Sequence, residues 1–247
     1  MNVLRLFVLT LFSLTAHAQE INAAVASNFL LPMRDIVTAF EQQSQHRVSI
    51  ASGSSGKLYA QIIQGAPFDV FLSADQEKPS ALLESGHGIS GSRFTYAQGS
   101  LVVIATNGLT DDPKALLSRG EFSRLAIANP RLAPYGAAAV ETLKALTLWH
   151  AVSQKLVIGE SVGQAYHFVI SGNAQLAFIA RAQVQNSQGE HPYWPVPTKL
   201  HNPIYQDAVL LKKGSYQLAA KQLLAFLQSE QALSIMDDYG YQPAGQQ

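Results

Sequence analysis

The chain has 247 residues with 17 basic and 17 acidic side chains, and it contains no cysteine. That length suffices for one large domain or for two lobes with real cores. The balanced charge offers no basic field for nucleic acid or an anionic membrane, and the lack of thiols excludes disulfides, thiol catalysis and thiolate metal sites.

Residues 1–18 read as a segment apart from the fold. Arg5 precedes an apolar stretch from Leu6 to Thr15, and Ala16-His17-Ala18 matches the small-x-small pattern of a cleavage site. The run is too short to span a bilayer comfortably. It reads as a secretory signal peptide cut near Ala18, with a retained membrane anchor as the other reading; no cysteine is present to carry a lipid. No later apolar run approaches membrane-spanning length.

Ile21 to Ala26 is expected as a buried first strand, followed by a helix to about Gln43 with Met33, Ile36, Val37 and Phe40 on one face. Pro32 fits only the first turn of that helix, where its missing N–H costs nothing. Val48 to Ala51 is a second strand, and a helix carrying Tyr59, Ile62 and Ile63 follows. Phe68 to Ala74 is a third strand, leading into a short helix through Leu83 that Gly86 stops. Asp69 could be imagined as a general base, but no His or Ser neighbours it in sequence, and a structural role is expected.

Leu101 to Ala105 is strongly strand-like, and the polar stretch Thr106–Asp112 marks passage into a second lobe. A short helix (Pro113–Leu117), a strand (Leu125–Ala128), a helix (Ala137–Leu146), a strand (Lys155–Ile158), a helix to about Ser171 and a strand (Leu176–Ala180) come next. Gln188 to Pro197 is irregular. Asp207 to Leu211 is a strand that carries the chain back, and helices near Tyr216–Gln228 and Glu230–Tyr239 close it. This alternation implies α/β architecture with largely parallel sheets. The expected division is 1–18 as signal peptide, 19–100 with 208–247 as the first lobe, and 101–207 as the second.

Four strand-to-helix corners stand out: Ser27-Asn28, Ser52-Gly53-Ser54-Ser55-Gly56, Asn129 to Gly136, and Gly159-Glu160-Ser161-Val162-Gly163. A helix start presents N–H groups without intrahelical acceptors together with partial positive charge, which suits an anion. Any one such corner is more simply a cap and a tight turn. Repeated four times, two before Leu101 and two after it, and all at the carboxyl ends of strands, the corners point to a small anion in a cleft between lobes.

The chain also resembles the periplasmic molybdate-binding proteins of ABC importers over nearly its whole mature length. The similarity lies in Ala24-Val25-Ala26-Ser27-Asn28-Phe29, Gly53-Ser54-Ser55-Gly56-Lys57-Leu58, the run from Gln64 to Asp75 containing Gly65-Ala66-Pro67-Phe68-Asp69-Val70-Phe71, and the run from Ala128 to Ala138 containing Ala133-Pro134-Tyr135-Gly136. The resemblance implies a two-lobe periplasmic-binding-protein type II fold, its sheets joined by two crossover strands. It further implies a tetrahedral oxyanion, molybdate or tungstate, held by Ser27 and Ser55 through hydroxyl and amide, by Asn28, and by the backbone amides of Tyr135 and Val162. The metal then has no direct protein ligand. The implied protein is a monomer in the periplasm with no cofactor, serving a permease in the inner membrane. Some family members add a tyrosine hydroxyl where this chain has Ala180, and Asn28 is expected to compensate.

A site of donors alone suits full dianions, whereas hydrogen phosphate also needs an acceptor. No corner centres on a carboxylate; Glu160 is near the fourth, and Lys57 is expected to point to solvent. The nearest rival is a binder of sulfate or another oxyanion. A hydrolase would use Ser27, Ser54 or Ser55 with a histidine base, but the mature histidines show no metal spacing, and Gly53-Ser54-Ser55-Gly56 is one residue short of a nucleophile elbow.

Overall fold

The computed structural model describes residues 18–106, 112–185, 192–216 and 218–243. The chain runs from β1 (Glu20–Ala26) through a 3₁₀ turn at Ser27–Phe29 into α1 (Leu30–Gln43), then β2 (Arg47–Gly53), α2 (Ser55–Ile63), β3 (Val70–Leu72), α3 (Glu77–Glu84) and β4 (Phe94–Gly99). After Ser100 a second set follows: β5 (Leu101–Ala105), α4 (Pro113–Arg119), β6 (Leu125–Ala128), α5 (Pro134–Ala145), α6 (Trp149–Val152), β7 (Leu156–Gly159), α7 (Val162–Ile170), β8 (Leu176–Ala180), α8 (Arg181–Gln185) and β9 (Tyr193–Pro195). Finally come β10 (Ile204–Leu210), α9 (Leu218–Phe226) and α10 (Glu230–Asp238).

The strands form two five-stranded sheets, ordered β2-β1-β3-β10-β4 and β7-β6-β8-β5-β9. Each has a parallel trio, β2-β1-β3 in one and β7-β6-β8 in the other. Each is extended by antiparallel strands: β10 and β4 in the first, β5 and β9 in the second. The antiparallel strands are those by which the chain crosses between sheets, out through β4 and β5 and back through β10.

Local chemistry accounts for the elements that frame the cleft. In β1 the side chains alternate between two buried faces. Ala23 and Val25 meet Met33, Ile36, Val37 and Phe40 of α1, while Ala24 meets Leu58 and Ile62 of α2. Burying side chains of this size contributes about 1.5–3 kcal/mol each, so the α1 stripe alone locks that helix to the sheet. In the second lobe every residue of β6 and β8 is buried, the pattern of strands covered on both faces.

The helix starts are capped from the sequence. Ser54 accepts from the Lys57 amide at 3.4 Å, and Ser161 accepts from the Gln164 amide at 3.3 Å. Helix α5 lacks a side-chain cap and starts instead on Pro134 as its first residue, three residues earlier than the expected Ala137. Strands β4 and β9 and helices α6 and α8 were not expected; β3 is shorter than the Phe68–Ala74 reading. Residues 1–17, where the signal peptide was expected, and 107–111, 186–191, 217 and 244–247 lie outside the described residues.

Candidate functional site

Ser27, Asn28, Ser55, Tyr135 and Val162 line one small cavity between the lobes, together with Ala26, Gly53, Ser54, Ala74, Ala133 and Pro134. Its interior is tight, with ≈ 10 Å³ open to the centre of a water-sized sphere, about what one water needs. No acidic, basic or histidine side chain is in that wall.

All five residues sit at helix starts. Ser27 and Asn28 open the 3₁₀ turn after β1, Ser55 is the first residue of α2, Tyr135 the second of α5, and Val162 the first of α7. At those positions the backbone N–H has no intrahelical acceptor. Among the described residues none of these five amides donates to any other group. Five hydrogen-bond donors are therefore held by four rigid elements, with helix dipoles adding positive potential.

The two serine hydroxyls are polarised in a useful direction. Ser27 Oγ accepts from the Gly163 amide at 3.3 Å, across the cleft, and Ser55 Oγ accepts from the Ala74 amide at 2.9 Å. With an oxygen lone pair occupied, each hydroxyl keeps its hydrogen for a further acceptor. The lobes also meet through the Gly56 amide and the Leu132 carbonyl, 2.9 Å apart.

Behind the cavity lies a buried polar network that residue spacing alone did not reveal. Asn28 Nδ2 donates to Gln206 Oε1 at 2.7 Å and to the Tyr241 hydroxyl at 3.0 Å. The Tyr241 hydroxyl donates to the Asn28 carbonyl at 2.8 Å. The Tyr96 hydroxyl reaches Gln206 Oε1 at 3.0 Å, and Gln206 Nε2 donates to the Tyr135 hydroxyl at 3.3 Å. Burial pushes the Tyr96, Tyr135 and Tyr241 phenols well above the ordinary tyrosine range, so all three stay neutral and put no negative charge beside the donors. The Asn28 amide nitrogen thus turns toward this network, and the compensation expected of it for Ala180 is not made by that atom. Ala180 is absent from the cavity wall; its amide instead donates to Gln183 Oε1 at 3.0 Å. Gln183 Nε2 in turn holds the Val162 carbonyl at 3.3 Å, tying the start of α7 to α8.

The sequence profile of the bacterial extracellular solute-binding proteins matches residues 21–242. The chain belongs to that family. Two relatives are 45% identical: the molybdate-binding protein ModA of Rhodobacter capsulatus, over 93% of this chain and 90% of that protein, and the ModA of Azotobacter vinelandii, over 94% and 93%. The solved periplasmic molybdate-binding protein of Azotobacter vinelandii superposes with a TM-score of 0.85 at 37% identity, covering 90% of this chain and 98% of that one.

Lys57 is exposed at the cleft mouth, and its Nζ lies 2.8 Å from Glu160 Oε2 of the other lobe; that hydrogen bond holds the Glu160 carboxyl below its usual range. Asp69 is buried just ahead of β3 and its Oδ2 accepts from the Asn22 amide at 2.7 Å, a structural role. Ser54 is a helix cap. Among the described residues, none of Ser27, Ser54 and Ser55 is hydrogen-bonded to an imidazole.

Proposed function

We propose that this solute-binding protein carries molybdate, and tungstate with it, through the periplasm to the permease of an ABC importer in the inner membrane. The observation that supports it most directly is the donor set: five unpartnered helix-start amides and two serine hydroxyls around one cavity free of charged side chains. Molybdate and tungstate are tetrahedral dianions at neutral pH, so each oxygen accepts and none donates. Hydrogen bonds to a charged partner contribute roughly 1.5–3 kcal/mol each, and several from rigid helix starts offset the dehydration of the dianion without a neutralising cation. Hydrogen phosphate brings a proton that needs an acceptor, and no carboxylate or imidazole lines the cavity to take it. The protein acts as a monomer with Ser27, Asn28, Ser55, Tyr135 and Val162 as ligands of the oxyanion. It has no catalytic residue and no resident cofactor, and the metal is held only through its oxygens. The segment ending near Ala18 directs export and is cleaved from the mature protein.

Calorimetric titration of ligand-stripped protein with molybdate, tungstate, sulfate and phosphate tests the assignment. Tight binding of the first two with sulfate and phosphate silent is expected. Binding of sulfate in their place would keep the site and change the substrate; silence to all four would overturn the oxyanion role.

A further inference from the structure

The Tyr135 side chain has a place that its role as an amide donor does not explain. Its backbone belongs to the start of α5 in the second lobe, yet its hydroxyl accepts from Gln206 on β10 of the first sheet. Gln206 is fully buried, and its amide is held in one orientation, with Oε1 taking donors from Asn28 and Tyr96 and Nε2 left to face Tyr135. Asn28 Nδ2 donates to Gln206 Oε1, and Gln206 Nε2 donates to the Tyr135 hydroxyl. Hydrogen bonds thus connect the second lobe to a residue whose own amide faces the oxyanion cavity. The backbone makes room for it at the outgoing crossover, because a β-carbon at Gly99 would collide with the Tyr135 hydroxyl and the Gln206 amide.

We propose that the Tyr135 phenol and Gln206 are positioning residues that lock the lobes in the closed geometry, fixing the Tyr135 amide against the bound oxyanion while neither polar side-chain end touches it. When the lobes swing apart about the crossover strands, a hinge motion, the phenol leaves Gln206; closure remakes the bond. The lock therefore acts on how long the ligand stays. This rests on oxyanion binding as described above.

The test is molybdate binding to wild type, Tyr135→Phe, Gln206→Met and the double variant, by calorimetry and by stopped-flow dissociation, with melting of each ligand-free protein. Tyr135→Phe keeps the backbone donor and the ring. It is expected to weaken binding about tenfold, the size of one buried hydrogen bond, with the loss in the dissociation rate and ligand-free melting unchanged. In the Gln206→Met background, Tyr135→Phe is expected to cost nothing further, because the Tyr135–Gln206 contact is already gone. Unchanged affinity of Tyr135→Phe, losses that multiply in the double variant, or ligand-free melting of Tyr135→Phe that falls in step with its affinity would overturn the lock while leaving the oxyanion site standing. Failure of the wild-type protein itself to bind molybdate would overturn the functional reading and the lock with it.

Discussion

Replacing Ser27 by alanine isolates what the cleft gains on closing. Among the described residues the Ser27 hydroxyl has one partner, the Gly163 amide of the other lobe, 3.3 Å away. Removing it deletes a hydroxyl donor to the dianion, about 1.5–3 kcal/mol, and a neutral cross-lobe hydrogen bond, about 0.5–1.5 kcal/mol. Neither is made while the lobes are apart. The expected loss is about 2–4 kcal/mol of binding, or about thirtyfold to a thousandfold in Kd, with a smaller value if the two terms overlap. Stability of the ligand-free protein should stay within about 0.5 kcal/mol of wild type, as for a surface change without special contacts. Calorimetry gives the first number and denaturant unfolding the second. A Kd within twofold of wild type would refute Ser27 as a ligand. A drop in ligand-free stability matching the binding loss would refute the idea that its hydroxyl works only in the closed cleft.

Ser55→Ala differs in an instructive way. It should cost about 1.5–3 kcal/mol of oxyanion binding. It should also lower ligand-free stability, because the buried Ala74 amide loses the Ser55 acceptor inside a single lobe; unchanged calorimetric affinity would reject Ser55 as a ligand. Glu160→Gln removes the partner of Lys57 at the cleft mouth, and because the pair is exposed the Kd should move less than about fivefold, with the difference fading in high salt. A large, salt-independent loss would show that Glu160 does more than face Lys57. Molybdate affinity should be flat from about pH 6 to about pH 9. No carboxylate, imidazole or amine lines the cavity. Burial disfavours the charged phenolate, so Tyr135, Tyr96 and Tyr241 keep their protons to higher pH than usual. A titration step inside that window, read by calorimetry, would mean that an ionisable side chain takes part.

Local signals account for what could be read in the chain before the fold. The α1 stripe of Met33, Ile36, Val37 and Phe40 is a helical period written in neighbouring residues, and the Gly/Ser corners declare helix starts through their own capping chemistry. Strand β4 carries no such signal: Phe94 to Gly99 acquires its conformation from pairing with β10, more than a hundred residues later. Pro134 opens α5 without a sequence signal, because a proline that opens a helix and one that precedes it look alike, and the cap-free Ala133 start gives no further hint. The five cavity residues were legible as positions at corners. The partners behind them were not. Gln206 meets Asn28 across 178 positions and Tyr241 meets it across 213, and an isolated glutamine or tyrosine announces nothing about which distant amide it will face.

Most of the donors around the cavity belong to the main chain, which every residue except proline supplies alike. A systematic substitution scan read by oxyanion uptake should therefore leave several ligand positions almost blank. Val162 should tolerate other apolar residues of similar volume, because its contribution is an N–H and its side chain is core packing. Proline should be the exception there: it suits the first turn of a helix, so Val162→Pro would delete the donor at little cost to the fold. In such a map the binding site would be drawn by its intolerance of one amino acid, and the positions that look sensitive to everything would be the glycines and buried amides that hold the backbone in place. Gly136, whose β-carbon would collide with the Ala128 carbonyl, is the first of these to expect.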